Sequence, residues 1–176
     1  MNDLLLLAAL LPGPQHGYAL KKQVGLITGH RAMHNNLVYP LLHRFVKNAW
    51  VSKRRSAGQR GQTREVYALM SKGKQELLRR LADYPESEVA SENGFRFRVG
   101  LFGVLDSETR GRILATREQF LTVREQRLAQ ISETVDAGPW GSEVVRFFRE
   151  QISAERIWIA ALARKVKRET KLERIS

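Results

Sequence analysis

Three features of this 176-residue chain predict a mainly α fold carrying one small β-hairpin. Apolar side chains recur at helical spacing over most of its length. One pair of β-branched and aromatic runs flanks a glycine-containing basic segment, "WVSKRRSAGQRGQTREVYALM" at residues 50–70, which reads as two short strands and a tip. In the second half, two heptad series are joined by a Gly/Pro turn. With 43% hydrophobic residues the chain can bury a real core, as one ordinary domain or two small ones.

The first helix is expected from about Asn2 to Leu11, with Asp3 in its first turn where a carboxylate suits the dipole, and it ends at "PGP". Its "LLLLAALL" run is too short to span a bilayer, which takes about 20 apolar residues, and it lacks the cationic start and cleavage site of an export signal. It therefore reads as buried. A second helix begins near His16, turning Tyr18, Leu20, Val24 and Ile27 inward and Lys21 and Lys22 outward, with Gly29 as its stop. The third starts around Asn35 to Leu37, because Pro40 is best tolerated within a first turn, and its apolar face is Leu41, Leu42, Phe45 and Val46. After the hairpin, "SKGKQELLRRLADY" gives a fourth helix capped by Ser71, with Leu77, Leu78 and Leu81 inward. The polar stretch "PESEVASEN" at 85–93 is the linker expected between a domain at 1–84 and a helical domain at 94–176.

In that second domain "FRFRVGLFGVL", Phe95 to Leu105, alternates like a strand but has no partner nearby, so a short helix is expected. Leu114, Leu121, Leu128 and Val135 then recur every seven residues, as do Val145, Ile152, Ile159 and Val166, with Phe148 and Leu162 at complementary positions. "DAGPWGS" folds the pair back as an antiparallel hairpin, Ser142 capping the second helix. Two helices cannot bury both seams alone, so these side chains are expected at a homodimer interface. Trp140, Phe147, Phe148 and Trp158 either join that core or line a pocket for a small-molecule effector.

Charge separates the two halves. Residues 1–84 hold 14 Lys+Arg against 4 Asp+Glu, a net of +10, whereas residues 85–176 hold 16 against 14, a net of +2. Like charges crowded on one surface repel each other unless a polyanion lies along it, so nucleic acid is the expected partner. Helix, helix, polar-ended helix, basic hairpin, helix is the order of a winged helix-turn-helix, in which the third helix enters the major groove of double-stranded DNA and the hairpin is the wing. Other chemistry finds little support. The absence of cysteine removes disulfides and thiolate catalysis and fits a reducing cytoplasm, the expected location. His30 and His34 are four apart but have no third ligand, so no metal is expected. "GQRGQT" lacks the length and lysine of a phosphate loop, and no Gly-x-Ser-x-Gly elbow occurs, so neither an enzyme nor a cofactor is expected.

The stretches "LLAALLPGPQHGYALKKQV", "VYPLLHRFVKNAWV" with its Tyr39-Pro40 pair, and "REVYALMSKGKQEL" resemble, in order and spacing, the PadR family of bacterial transcriptional regulators. The likeness runs over residues 4–82, with Ala49 where the family usually places glycine and Met70-Ser71 in place of its customary threonine. It implies a DNA-binding repressor whose C-terminal helices interlock between two subunits, in some members released by a small molecule.

Within this frame Asn35 and Asn36 are the expected base readers, since an amide pairs bidentately with adenine, unless one of them is only the helix cap. His34 either touches DNA or covers the turn. Tyr39 either donates to DNA or packs against the second helix. Lys21, Lys22, Arg44, Lys53, Arg54, Arg55, Arg60 and Arg64 are expected along phosphates. The competing reading is an adaptor whose helical half binds another protein while the basic half grips nucleic acid without specificity.

Overall fold

A computed structural model describes residues 2–28, 35–57, 63–134 and 136–173, and the chain divides into two compact units, Met1–Asp83 and Tyr84–Ser176. The first unit is built on α1 (Asn2–Ala8), whose leucines, with Ala9 and Leu10, are all buried in its core. The helix stops earlier than Leu11: the amides of Leu10 and Leu11 reach back only three residues, to Leu7 and Ala8, and Gly13 turns the chain at φ 142°. The chain next forms a strand that carries no readable period because it is two residues long, β1 (Gln15–His16), antiparallel to the last wing strand.

Helix α2 (Gly17–Thr28) buries Leu20 and Val24 as expected, but Tyr18 faces solvent at 78% exposure. The strand before it places Tyr18 in the first turn, on the open side, and so corrects its inward assignment. Helix α3 (Asn35–Lys47) buries Val38, Leu42 and Phe45. Because it begins at Asn35, Pro40 lies in the second turn and not the first, and the Asn36 carbonyl lacks the amide that would normally reach it. The helix ends in a paired closure: Ala49 N–H donates to Val46 O, Trp50 N–H donates to Phe45 O at 2.9 Å, and Ala49 sits in the left-handed region at φ 55°. The Phe45 and Trp50 rings, 5.6 Å apart, form the apolar contact that accompanies this closure.

Strands β2 (Val51–Ala57) and β3 (Thr63–Leu69) pair from Val51↔Leu69 to Ala57↔Thr63, giving the sheet order β1-β3-β2. Helix α4 (Ser71–Ala82) is capped at Met70, with no side-chain bond, so Ser71 is its first residue and not its cap. Gly73 allows the helix to lie against the wing base, because a Cβ there would meet the Trp50 carbonyl oxygen at 2.1 Å. Asp3 ties α1 to the other helices, accepting from Arg44 and, at 3.2 Å, from Arg80.

The second unit is helical throughout its described residues. The stretch expected as a linker carries α5 (Glu86–Val89), with Val89 buried, and enters α6 (Glu92–Gly100), whose cap Ser91 accepts from the Gly94 amide at 3.0 Å. A single 3-10 turn (Phe102–Val104) follows, so the Phe95–Leu105 segment is helical. Helices α7 (Ser107–Thr134) and α8 (Gly138–Glu173) form the expected hairpin. Asp106 caps α7 by accepting from the Thr109 amide at 2.8 Å. At α8 Asp136 accepts from the Gly138 amide at 3.0 Å, whereas Ser142 lies inside the helix and donates to the Gly138 carbonyl, which corrects its role as cap.

Leu114, Leu121, Ile152, Ile159 and Val166 are all buried within the single chain. Their cover comes from the chain itself. Leu128, Val145, Phe148 and Leu162 are half-buried, and Val135 lies outside the described residues. Arg117, fully buried, donates twice to Glu155 (2.8 and 2.9 Å) and also to the Val89 carbonyl, so one guanidinium holds α5, α7 and α8 together.

Candidate nucleic-acid interface

With Val38, Leu42 and Phe45 anchored in the core, the opposite face of α3 is fixed in solvent. Asn36, Pro40, His43 and Lys47 fall on it at helical spacing, all exposed, with Tyr39 beside them. Asn36 is where a base reader was expected, and because α3 begins one residue before it, it is not the cap. The Asn35 side chain, His34 and the His30–His34 spacing lie outside the described residues. Tyr39 packs as well as faces outward: it is 41% exposed, and a Cβ on Gly17 would sit 3.2 Å from its ring. His43 and Lys47 were missed from sequence, although counting helical steps from Asn36 finds both.

The wing bears its cations on two faces. The register puts Arg54 opposite Val66 and Ser56 opposite Arg64, so Arg54 and Arg64 share one face; Lys53, opposite Tyr67, and Arg55, opposite Glu65, share the other with buried Val51. Arg54, Arg55 and Arg64 are exposed and form no ion pair among the described residues. Arg60 lies outside them. Lys53 is different, since its Nζ is 2.5 Å from Glu65. The hydrogen bond from Lys53, followed by one from Tyr67, holds the Glu65 carboxyl below the usual range, while burial followed by the bond to Glu65 pushes the Tyr67 phenol above its own.

Of the remaining expected phosphate contacts, Lys22 is exposed and Lys21 half-buried on α2. Arg44 is already paired with Asp3, which makes it first of all a brace between α3 and α1. Of the four aromatics expected either in the core or around an effector, Trp140 is 84% exposed, Trp158 packs edge-on against Phe95 at 5.7 Å, and Phe147 meets Phe148 at 6.2 Å. The second unit does hold a groove of about 720 Å³ walled by Tyr84, Val89, Phe120, Val123 and Arg127, but none of the four aromatics lines it. Among the described residues there is no metal-binding cluster and no helix long and apolar enough to cross a membrane.

Residues 6–79 match the Transcriptional regulator PadR-like family. No protein of curated function matches the chain. Among solved structures, a candidate transcriptional regulator from Thermoplasma acidophilum is 32% identical over 43% of this chain and 72% of its own, with a TM-score of 0.40. Bacillus subtilis PadR, solved in complex with operator DNA, is 17% identical over 93% of this chain and 98% of its own, TM-score 0.44. A PadR family transcription regulator from Clostridium difficile is 21% identical over 58% of this chain and 94% of its own, TM-score 0.43.

Proposed function

Because the chain belongs to the PadR-like family of transcriptional regulators, a family of transcription factors and not of enzymes, we propose that it binds operator DNA sequence-specifically as a homodimeric repressor. The observation that carries this reading is the exposed α3 face of Asn36, His43 and Lys47 on the same unit as a wing whose Arg54, Arg55 and Arg64 form no ion pair among the described residues. The helix supplies hydrogen-bonding groups to base edges and the wing supplies charge to phosphates.

The dimer is assigned to the outer stripe of α8. Trp140, Val144 and Phe147, at i, i+4 and i+7, are 84%, 52% and 54% exposed, an apolar surface that a second copy covers by two-fold symmetry. Two copies of α3 then read an inverted repeat. A dimer seated on promoter DNA excludes other proteins from it, and repression follows. Footprinting on the DNA upstream of its own gene tests all of this together: the expected result is a protected inverted repeat with half-site centres about 34–36 Å apart or a multiple of that. Protection without symmetry, or binding that ignores sequence, overturns the reading in favour of an adaptor.

A further inference from the structure

The wing carries one carboxylate among its cations. Residues 51–69 contain Lys53, Arg54, Arg55, Arg60 and Arg64 and, as acid, Glu65 alone. A negative charge at this position repels the phosphates that its neighbours attract, so it weakens the very contact the wing is built for.

Its surroundings hold it firmly in place. One carboxylate oxygen lies 2.5 Å from Lys53 Nζ, and the other accepts from the Tyr67 hydroxyl at 2.8 Å. Tyr67 is 1% exposed, so its hydroxyl is fixed by packing and pins the carboxylate from the core side. The backbone carbonyl of Glu65 is 3.4 Å from His16 Nδ1, and β1 pairs with β3 at the neighbouring residue, so the backbone beneath it is also braced. The pair itself remains accessible, with side chains 32% and 42% exposed for Lys53 and Glu65. Lys53 therefore already donates to an anion at the surface where a phosphate would otherwise accept from it.

We propose that Glu65 is an intramolecular stand-in for a phosphate, a brake that occupies Lys53 in the free protein and limits how much affinity the wing lends to DNA of arbitrary sequence. The proposal rests on the reading of the wing as a DNA contact. To grip a duplex Lys53 must exchange its carboxylate for a phosphate, while the Glu65 charge, held by Tyr67, cannot withdraw from the backbone. On an operator the base contacts of α3 hold the wing close enough to complete that exchange. On random DNA Lys53 stays with Glu65 and one phosphate contact is forgone, so Glu65 raises the ratio of specific to non-specific binding.

Glu65→Gln removes the charge and keeps both the shape and an acceptor for Tyr67; Glu65→Thr removes it with a good strand former if the first variant folds poorly. Binding of the full chain to its footprinted site and to random duplex of equal length is measured over a range of salt. Removal of the brake is expected to tighten binding to random duplex, to steepen its salt dependence by about 0.9 for one added phosphate contact, and to lower the specificity ratio. Adding Lys53→Gln is expected to return the slope to the wild-type value. Arg54→Gln separates the two levels of the argument. If it weakens binding while Glu65→Gln leaves slope and ratio unchanged, the brake is overturned and the wing stays on the DNA. If neither variant changes binding, the wing reading is lost and the brake with it.

Discussion

At Ala49 the chain adopts φ 55° to leave α3 and start the wing, a conformation that costs a residue with a Cβ about 1–2 kcal/mol. Glycine relieves that strain but gives the unfolded chain more freedom, by about 0.4–1 kcal/mol. Ala49→Gly is therefore expected to raise stability by about 0.5–1 kcal/mol, read as a higher urea midpoint at unchanged slope. Asn36 and His43 make a different kind of prediction. Both are exposed side chains of α3, so alanine at either is expected to leave stability unchanged, while Asn36→Ala costs about 1–3 kcal/mol in operator binding and relaxes the preference at one symmetric pair of positions. A binding-site selection in which both variants keep the wild-type preference removes them as readers. Residue-level readings were legible where a single periodicity decided them, as at Leu20 and Val24. They were not where a distant contact decided, as with Tyr18 and Tyr39: both rings are amphipathic, and which one packs depends on the missing Cβ of Gly17.

Every main helix and both wing strands were readable as elements, because each has a stripe or alternation that its packing requires. What the heptads of α7 and α8 could not say is which surface covers them, since a seven-residue repeat looks the same facing a neighbouring helix of the same chain or of another. This has a sharp consequence. Ile152→Ala is expected to cost about 2–5 kcal/mol of folding stability. Val144→Asp with Phe147→Asp, on the exposed stripe, is expected to leave the helix content intact and halve the mass seen by light scattering. A dimer that survives the double change refutes the assignment of that stripe. In α4 the sensitivity is to acid. Hydrogen bonds from Arg79 and then Arg80 lower the Glu76 carboxyl from 4.5 to about 2, so the folded state holds its proton less tightly than the unfolded chain. The stabilisation is present above the ordinary value and disappears as pH falls from 4.5 towards 2. Urea midpoints measured across that window are expected to fall less steeply for Glu76→Gln than for the wild type.

At the scale of the whole molecule, charge was the most legible property: the net of +10 in residues 1–84 sets apart the unit proposed to bind DNA before any motif is named. The covered seam and the brace of Arg117 on Glu155 were not legible, because one buried arginine among the several of α7 has no distinguishing spacing. The joint at Trp50 reaches further. Its amide closes α3, its carbonyl accepts from Met70 at 2.9 Å, and its ring lies between Phe45 and the Arg80 guanidinium, 5.0 Å from the latter. Helix α3, both wing strands and α4 thus meet at one fluorophore, while the other two tryptophans, Trp140 and Trp158, belong to the second unit. With both of those changed to phenylalanine, the remaining emission is an optical gauge of the first unit alone. Titrating operator into that variant is expected to shift its intensity in step with occupancy, and a duplex that engages neither α3 nor the wing leaves the signal flat.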